Sequence, residues 1–138
     1  MSNEKFQLKL MEMRVPFLYA SSLKNFEFKN IEDAIKPVKF EKNRTIVTIS
    51  MNLEETSKSL RVTINACFSL NNVVVAAIVT TRTTKANSQS FTKQDVEQHR
   101  KDLISPAVGK MNQLISVATE QLTGFPYSAN IPTDSKYK

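Results

Sequence analysis

Few side chains in this 138-residue chain could do chemistry, and none stands among the partners that chemistry requires. His99 is the single histidine, set between Gln98 and Arg100-Lys101 on a polar stretch of helical character. No cysteine or second histidine lies at metal-ligand spacing from it. As a general base it would need a nucleophile and an orienting acid, and the stretch supplies neither, so it reads as a solvated surface histidine. Glu54-Glu55 is an acidic pair, but adjacent carboxylates in a turn diverge instead of sharing a proton, and they solvate the turn. Cys67 is the single cysteine and sits in an alternating stretch, the setting of a small buried hydrophobe; one thiol also excludes an internal disulfide. The two glycines, Gly109 and Gly124, belong to no phosphate-cradling motif. The expectation is therefore a protein that is not an enzyme, with no catalytic residue, no metal and no cofactor.

Composition sets the wider frame. An apolar share of 41% over 138 residues is enough for one core, so a single domain over 1-138 is expected. No apolar run reaches membrane-spanning length, and the charged start Met1-Ser-Asn-Glu-Lys lacks the apolar stretch of a signal peptide, which points to the cytoplasm. The net charge is +6, spread evenly: nine basic and six acidic residues through Arg44, ten and seven after it. A diffuse excess, without RRM aromatics, zinc-finger spacing or a KH-type loop, leaves nucleic-acid binding as a lesser alternative.

The elements that would position any site are legible as periods. From Thr45 to Leu53, Val47, Ile49, Met51 and Leu53 alternate with polar residues, which predicts a half-buried strand. Leu60 to Phe68 repeats the pattern, and the polar connection between the two predicts antiparallel pairing. The pair Asn71-Asn72 suits a tight turn into a third strand, Val73 to Thr81, whose two faces are both apolar. Such a strand either is covered on both sides or turns one face to a partner. The first forty residues predict one long interrupted strand or two short ones: Phe6, Leu8 and Leu10 alternate, Pro16 marks an edge or a bulge, and Phe26 and Phe28 alternate again. After a polar loop, Thr92-Lys-Gln-Asp95 is a capping box for a first helix running to about Ile104. Ser105-Pro106 reads as the start of a second, with Val108, Met111, Ile115, Ala118 and Leu122 on one face and Gly124 at its end. The fold class is α+β, a four-stranded antiparallel β-meander followed by two helices.

That order of elements resembles the SecB family of ATP-independent export chaperones and its SecB-like relatives. The likeness rests on Leu60-Arg-Val-Thr-Ile-Asn-Ala-Cys-Phe-Ser-Leu70, similar to the family strand that ends in a Ser-Leu turn. It rests also on Gly124-Phe-Pro with Pro132 six residues after Pro126, and on Pro106 near the head of a long helix. It spans roughly Phe6 to Pro132. The basic balance, where classical SecB offers an acidic surface to the translocation ATPase, and the missing acidic tail mark a divergent relative, and leave engagement of that ATPase open. The resemblance implies a holdase for unfolded or extended polypeptide segments, assembled as a dimer or tetramer. It places Val75, Ala77, Val79 and Thr81 on a face for client binding and assembly, and Phe125, Pro126 and Tyr127 beside a peptide groove. The alternatives are a SecB-fold interaction module with one specific partner and a basic nucleic-acid-binding protein.

Overall fold

The computed structural model describes residues 7–22, 35–36, 38–41, 43–54, 56–70, 73–129 and 131. One antiparallel sheet contains β1 (Leu8–Ser22), β2 (Thr45–Glu54), β3 (Ser59–Leu70) and β4 (Val73–Lys85), followed by α1 (Lys93–Gln98) and α2 (Arg100–Thr123). The α+β class, with four antiparallel strands and then two helices, is as expected. Across the sheet the order is β1-β4-β3-β2. Strands β2, β3 and β4 form the meander, and β1 returns to lie beside β4, so β1 and β2 are the two edges. Phe6, Phe26, Phe28 and the Asn71-Asn72 pair lie outside the described residues.

Registers follow the alternation. Ile49 faces Ile64, Met51 faces Val62 and Leu53 faces Leu60, each pair on one side of the sheet. The register of β2 on β3 is unbroken for its whole length, whereas β1 on β4 shifts between Leu10 and Glu12 and again between Arg14 and Phe17. Pro16 lies in the second shift, where a residue without an N–H interrupts no ladder bond.

Helix α1 begins with the expected capping box: Thr92 Oγ1 accepts from the Asp95 N–H at 3.0 Å, and the Asp95 carboxylate accepts from the Thr92 N–H at 2.8 Å. That carboxylate also meets Lys85 Nζ at 2.6 Å, which ties α1 to the end of β4. The helices then part at His99 (φ −114°, ψ 24°), and Pro106 lies inside α2. The sequence expectation put this break at Ser105-Pro106 and is corrected. A continuous helix seats Leu103 and Ile104 in the core together with Ala107 and Val108, a burial that outweighs the bond Pro106 cannot donate to the Asp102 carbonyl. Asp102 is exposed, so water reaches that end of the helix. Gly124 closes α2 at φ 88°, in the left-handed region, and its N–H donates to the Glu120 carbonyl.

Helix α2 lies across β4, β3 and β1. Met111 and Ile115, both at zero exposure, pack with Ile49, Leu60, Val62, Ile64 and the odd-numbered residues of β4. Ile35 and Val38 cover part of the other face, over Cys67, Val74 and Ala76. Burial pushes the Cys67 thiol up to about 12.

Lys85, and then the Thr92 N–H, hold the Asp95 carboxyl below its ordinary 3.8. Its contribution to stability is full above that ordinary value and is lost as pH falls through the lowered one. Asp95→Asn is expected to cost about 1 kcal/mol at pH 7. Urea denaturation at pH 7 and pH 3 checks this: the difference from the parent chain should shrink in acid.

Candidate functional site

Strand β4 divides its side chains by parity. Val75, Ala77 and Val79 are at zero exposure and Thr81 at 1%, all on the face under α2. Val74 and Ala76 point to the opposite face, into the layer of Ile35 and Val38. Both faces of this stretch of β4 are covered within one chain. Val75, Ala77, Val79 and Thr81, expected on a face for client binding and assembly, are buried in this chain beneath α2. Neither the Thr81 nor the Thr83 hydroxyl has a hydrogen-bond partner in this layer.

The other three expected residues follow the end of α2. Phe125 is 70% exposed, Pro126 is exposed, and Tyr127 is half-buried against Phe68, with ring centroids 6.2 Å apart and planes inclined by 34°. Phe68 pairs with Val75 across the strands, so Tyr127 reaches the core that holds the first set, and Phe125 remains outside it.

The chain after Gly124 turns back along α2 and is held there by side chains of the helix. Thr123 Oγ1 accepts from the Phe125 N–H at 3.2 Å, and Thr119 Oγ1 accepts from the Tyr127 N–H at 2.8 Å. Asn112 grips Ile131 twice: Oδ1 accepts from its N–H at 3.2 Å and Nδ2 donates to its carbonyl at 3.4 Å. Ile131 is buried at 5% exposure.

Two exposed apolar surfaces went unread in the sequence. On β1, Leu10, Met13 and Leu18 pair opposite Thr83, Thr81 and Ala77, and so share the face on which α2 lies, yet they are 45%, 37% and 52% exposed. Val117 of α2 is 49% exposed, on a flank of the helix roughly opposite Asn112 and Thr119. The second surface is a hollow of about 520 Å3 at the end of β2, lined by Met51, Asn52, Leu53 and Leu60 from the sheet and by Lys93, Val96 and Glu97 around α1. Its lining is mostly apolar, with one charge of each sign at the rim. Among the described residues nothing pairs with the outer edge of β2.

His99 is half-buried at the junction of the helices, with Nδ1 at 4.0 Å from Asp102. The Glu54 carboxylate accepts from Arg61 Nε at 3.1 and 3.2 Å, so it serves the hairpin as an ion pair as well as by solvation. No group of three or more metal-ligating side chains occurs among the described residues, and no helix among them is long and apolar enough to cross a membrane.

The fold these elements define is SecB-like, a four-stranded antiparallel sheet followed by helices. A SecB-like chaperone of Mycobacterium tuberculosis, solved in complex with a ChAD peptide from the HigA1 antitoxin, superposes with a TM-score of 0.56 at 7% identity, over 91% of this chain and 90% of that one. A protein of unknown function from Streptococcus agalactiae superposes with a TM-score of 0.60 at 14% identity, over 93% of this chain and all of the other. No family model and no curated protein matches the sequence.

Val79→Asp is expected to abolish cooperative folding or cost more than about 4 kcal/mol, since it buries an unpaired carboxylate. Phe125→Asp should change stability by no more than about 0.5 kcal/mol. Chemical denaturation of the two variants checks the assignment of one residue to the core and the other to the surface.

Proposed function

We propose that this protein is an ATP-independent, SecB-like holdase that captures extended segments of unfolded polypeptides. The observation that carries the reading is the outer edge of β2 with the hollow at its end. An edge strand offers alternate N–H and C=O groups outward, and an extended segment satisfies them by adding as a further strand. Such a segment would set an apolar side chain into the hollow between Leu53 and Val96, while Lys93 and Glu97 at the rim meet flanking charges of either sign. Backbone pairing reads no sequence and the hollow reads only apolar size, which suits clients of many sequences. Capture by mass action needs no nucleotide.

The fold is also that of a chaperone solved with a peptide bound, which supports a polypeptide ligand. That peptide comes from one antitoxin, an observation in favour of a second reading, a module dedicated to a single partner. Assembly belongs to the same proposal: Leu10, Met13 and Leu18 on β1 and Val117 on α2 form the apolar surface for a second copy, giving a dimer or a tetramer.

Suppression of aggregation, measured on several unrelated unfolded proteins, separates the two readings: a holdase protects all of them, a dedicated module none. Leu53→Asp should weaken client affinity roughly ten- to a hundredfold, the equivalent of losing about 1.5–3 kcal/mol of apolar burial, with the fold intact. Native mass spectrometry of the Leu18→Asp variant should show loss of the oligomer. A strictly monomeric parent chain that ignores unfolded polypeptides would sink the proposal.

A further inference from the structure

The bonding pattern of β2 fixes which of its residues face the open edge. The Ser69 N–H donates to the Arg44 carbonyl at 3.3 Å, so Arg44 and Ser69 form a hydrogen-bonded pair one step before Thr45 meets Phe68. Hydrogen-bonded and non-bonded pairs alternate along an antiparallel ladder. Ile46, Thr48, Ser50 and Asn52 therefore bond to β3, while Thr45, Val47, Ile49, Met51 and Leu53 aim their N–H and C=O groups away from it. These outward peptide groups belong to the residues whose side chains lie on the α2 face of the sheet. Met51 and Leu53 are also the two of them that line the hollow beside α1. On the opposite face the same edge presents Thr48, Ser50 and Asn52, all exposed. The edge is thus two-sided, apolar with a hollow on one face and lined with hydroxyl and amide groups on the other.

We infer that this edge selects an extended segment by its period: a strand that adds antiparallel to β2, with apolar side chains at every second position and small polar ones between. In antiparallel addition the residue opposite Met51 or Leu53 exchanges both bonds with it and sends its own side chain to the same face, into the hollow. One alternate set of the client's residues therefore serves both the backbone grip and the apolar pocket. The intervening residues lie beside Thr48, Ser50 and Asn52, where an apolar side chain stays in water and gains little. A segment with apolar residues at helical spacings of three and four sends only half of them toward the hollow. Parallel addition would pass the bonds to the intervening residues, and it is the weaker pairing per residue. The inference names the class of client for the holdase reading, and rests on that reading for the client's being a polypeptide.

The test uses the parent chain and fluorescein-labelled nonapeptides in anisotropy titrations. Thr-Val-Thr-Leu-Thr-Val-Thr-Leu-Thr alternates, whereas Val-Thr-Thr-Leu-Val-Thr-Thr-Leu-Thr has the same composition at helical spacing. The alternating peptide should bind at least about tenfold more tightly. N-methylation of its Val and Leu amides should abolish that binding, because those N–H groups face β2, and N-methylation of its Thr amides should change affinity by no more than about twofold. Leu53→Asp should remove the preference between the isomers. Isomers that bind alike, absence of binding by both, loss of binding on Thr methylation instead, or a preference that survives Leu53→Asp each overturn the inference. Suppression of aggregation is measured on the same preparation. Protection of unfolded proteins without preference between the isomers refutes selection by period and leaves the holdase reading standing. A preference without any protection refutes the holdase reading and leaves the strand site.

Discussion

Between Val73 and Val79, β4 contains no polar residue, so a strand two places from one edge of the sheet is apolar on both sides and must be covered twice. The rest of the structure answers that constraint. Helix α2, about 36 Å long at 1.5 Å per residue, runs along most of the roughly 43 Å of β4 and closes one face. Ile35 and Val38 close the apolar part of the other, over Val74 and Ala76. The need for one long, unbroken cover explains why α2 runs straight through Pro106 and why the chain bends at His99 instead. There α1 has already been pinned to the end of β4 by Asp95 and Lys85.

What could be read in the sequence was whatever is recorded locally. The strands β2 and β3 are written as a period of two, the start of α1 as Thr92 and Asp95, and the end of α2 as Gly124. The order of strands is not local: nothing in Leu8 to Ser22 says that it will lie beside β4 and not β2. The same limit governs the site. Parity alone groups Val75, Ala77 and Val79 on one face, but which face α2 will occupy depends on the route of the chain after Lys85. Ser105-Pro106 has the better local credentials for a helix start than Gln98-His99, and tertiary burial of Leu103 and Ile104 overrides them. Phe125 and Pro126 stand exposed after the end of α2, and Tyr127 is half-buried against Phe68. Asn112, by contrast, looks like any solvent-facing amide until the tail is folded back upon it.

The two edges of the sheet are unlike, and the difference has physical consequences. Edge strands invite unwanted pairing, and proteins blunt them with prolines, bulges and charges. The edge strand β1 carries all three: Pro16, two register shifts, and Lys9, Glu12 and Arg14 along its length, with Arg14 bonded to Glu12 at 3.0 Å. An added strand cannot follow β1 in regular register, so an association there rests on side chains such as Leu10, Met13 and Leu18, a contact with a defined fit.

The strand β2 has none of these devices before its last residue, Glu54. From Thr45 to Leu53 it holds no charge, no proline and no bulge, and it pairs with β3 in perfect step. Unpaired among the described residues, such an edge is a liability in a monomer; under the proposed function, with the apolar hollow at its end, it is the template for an extended chain. The two edges thus differ in kind: β1 is interrupted by proline, bulges and charge, while β2, among the described residues, runs regular and unpaired, which under the proposed function suits β1 to one partner of fixed shape and β2 to extended chains of many sequences.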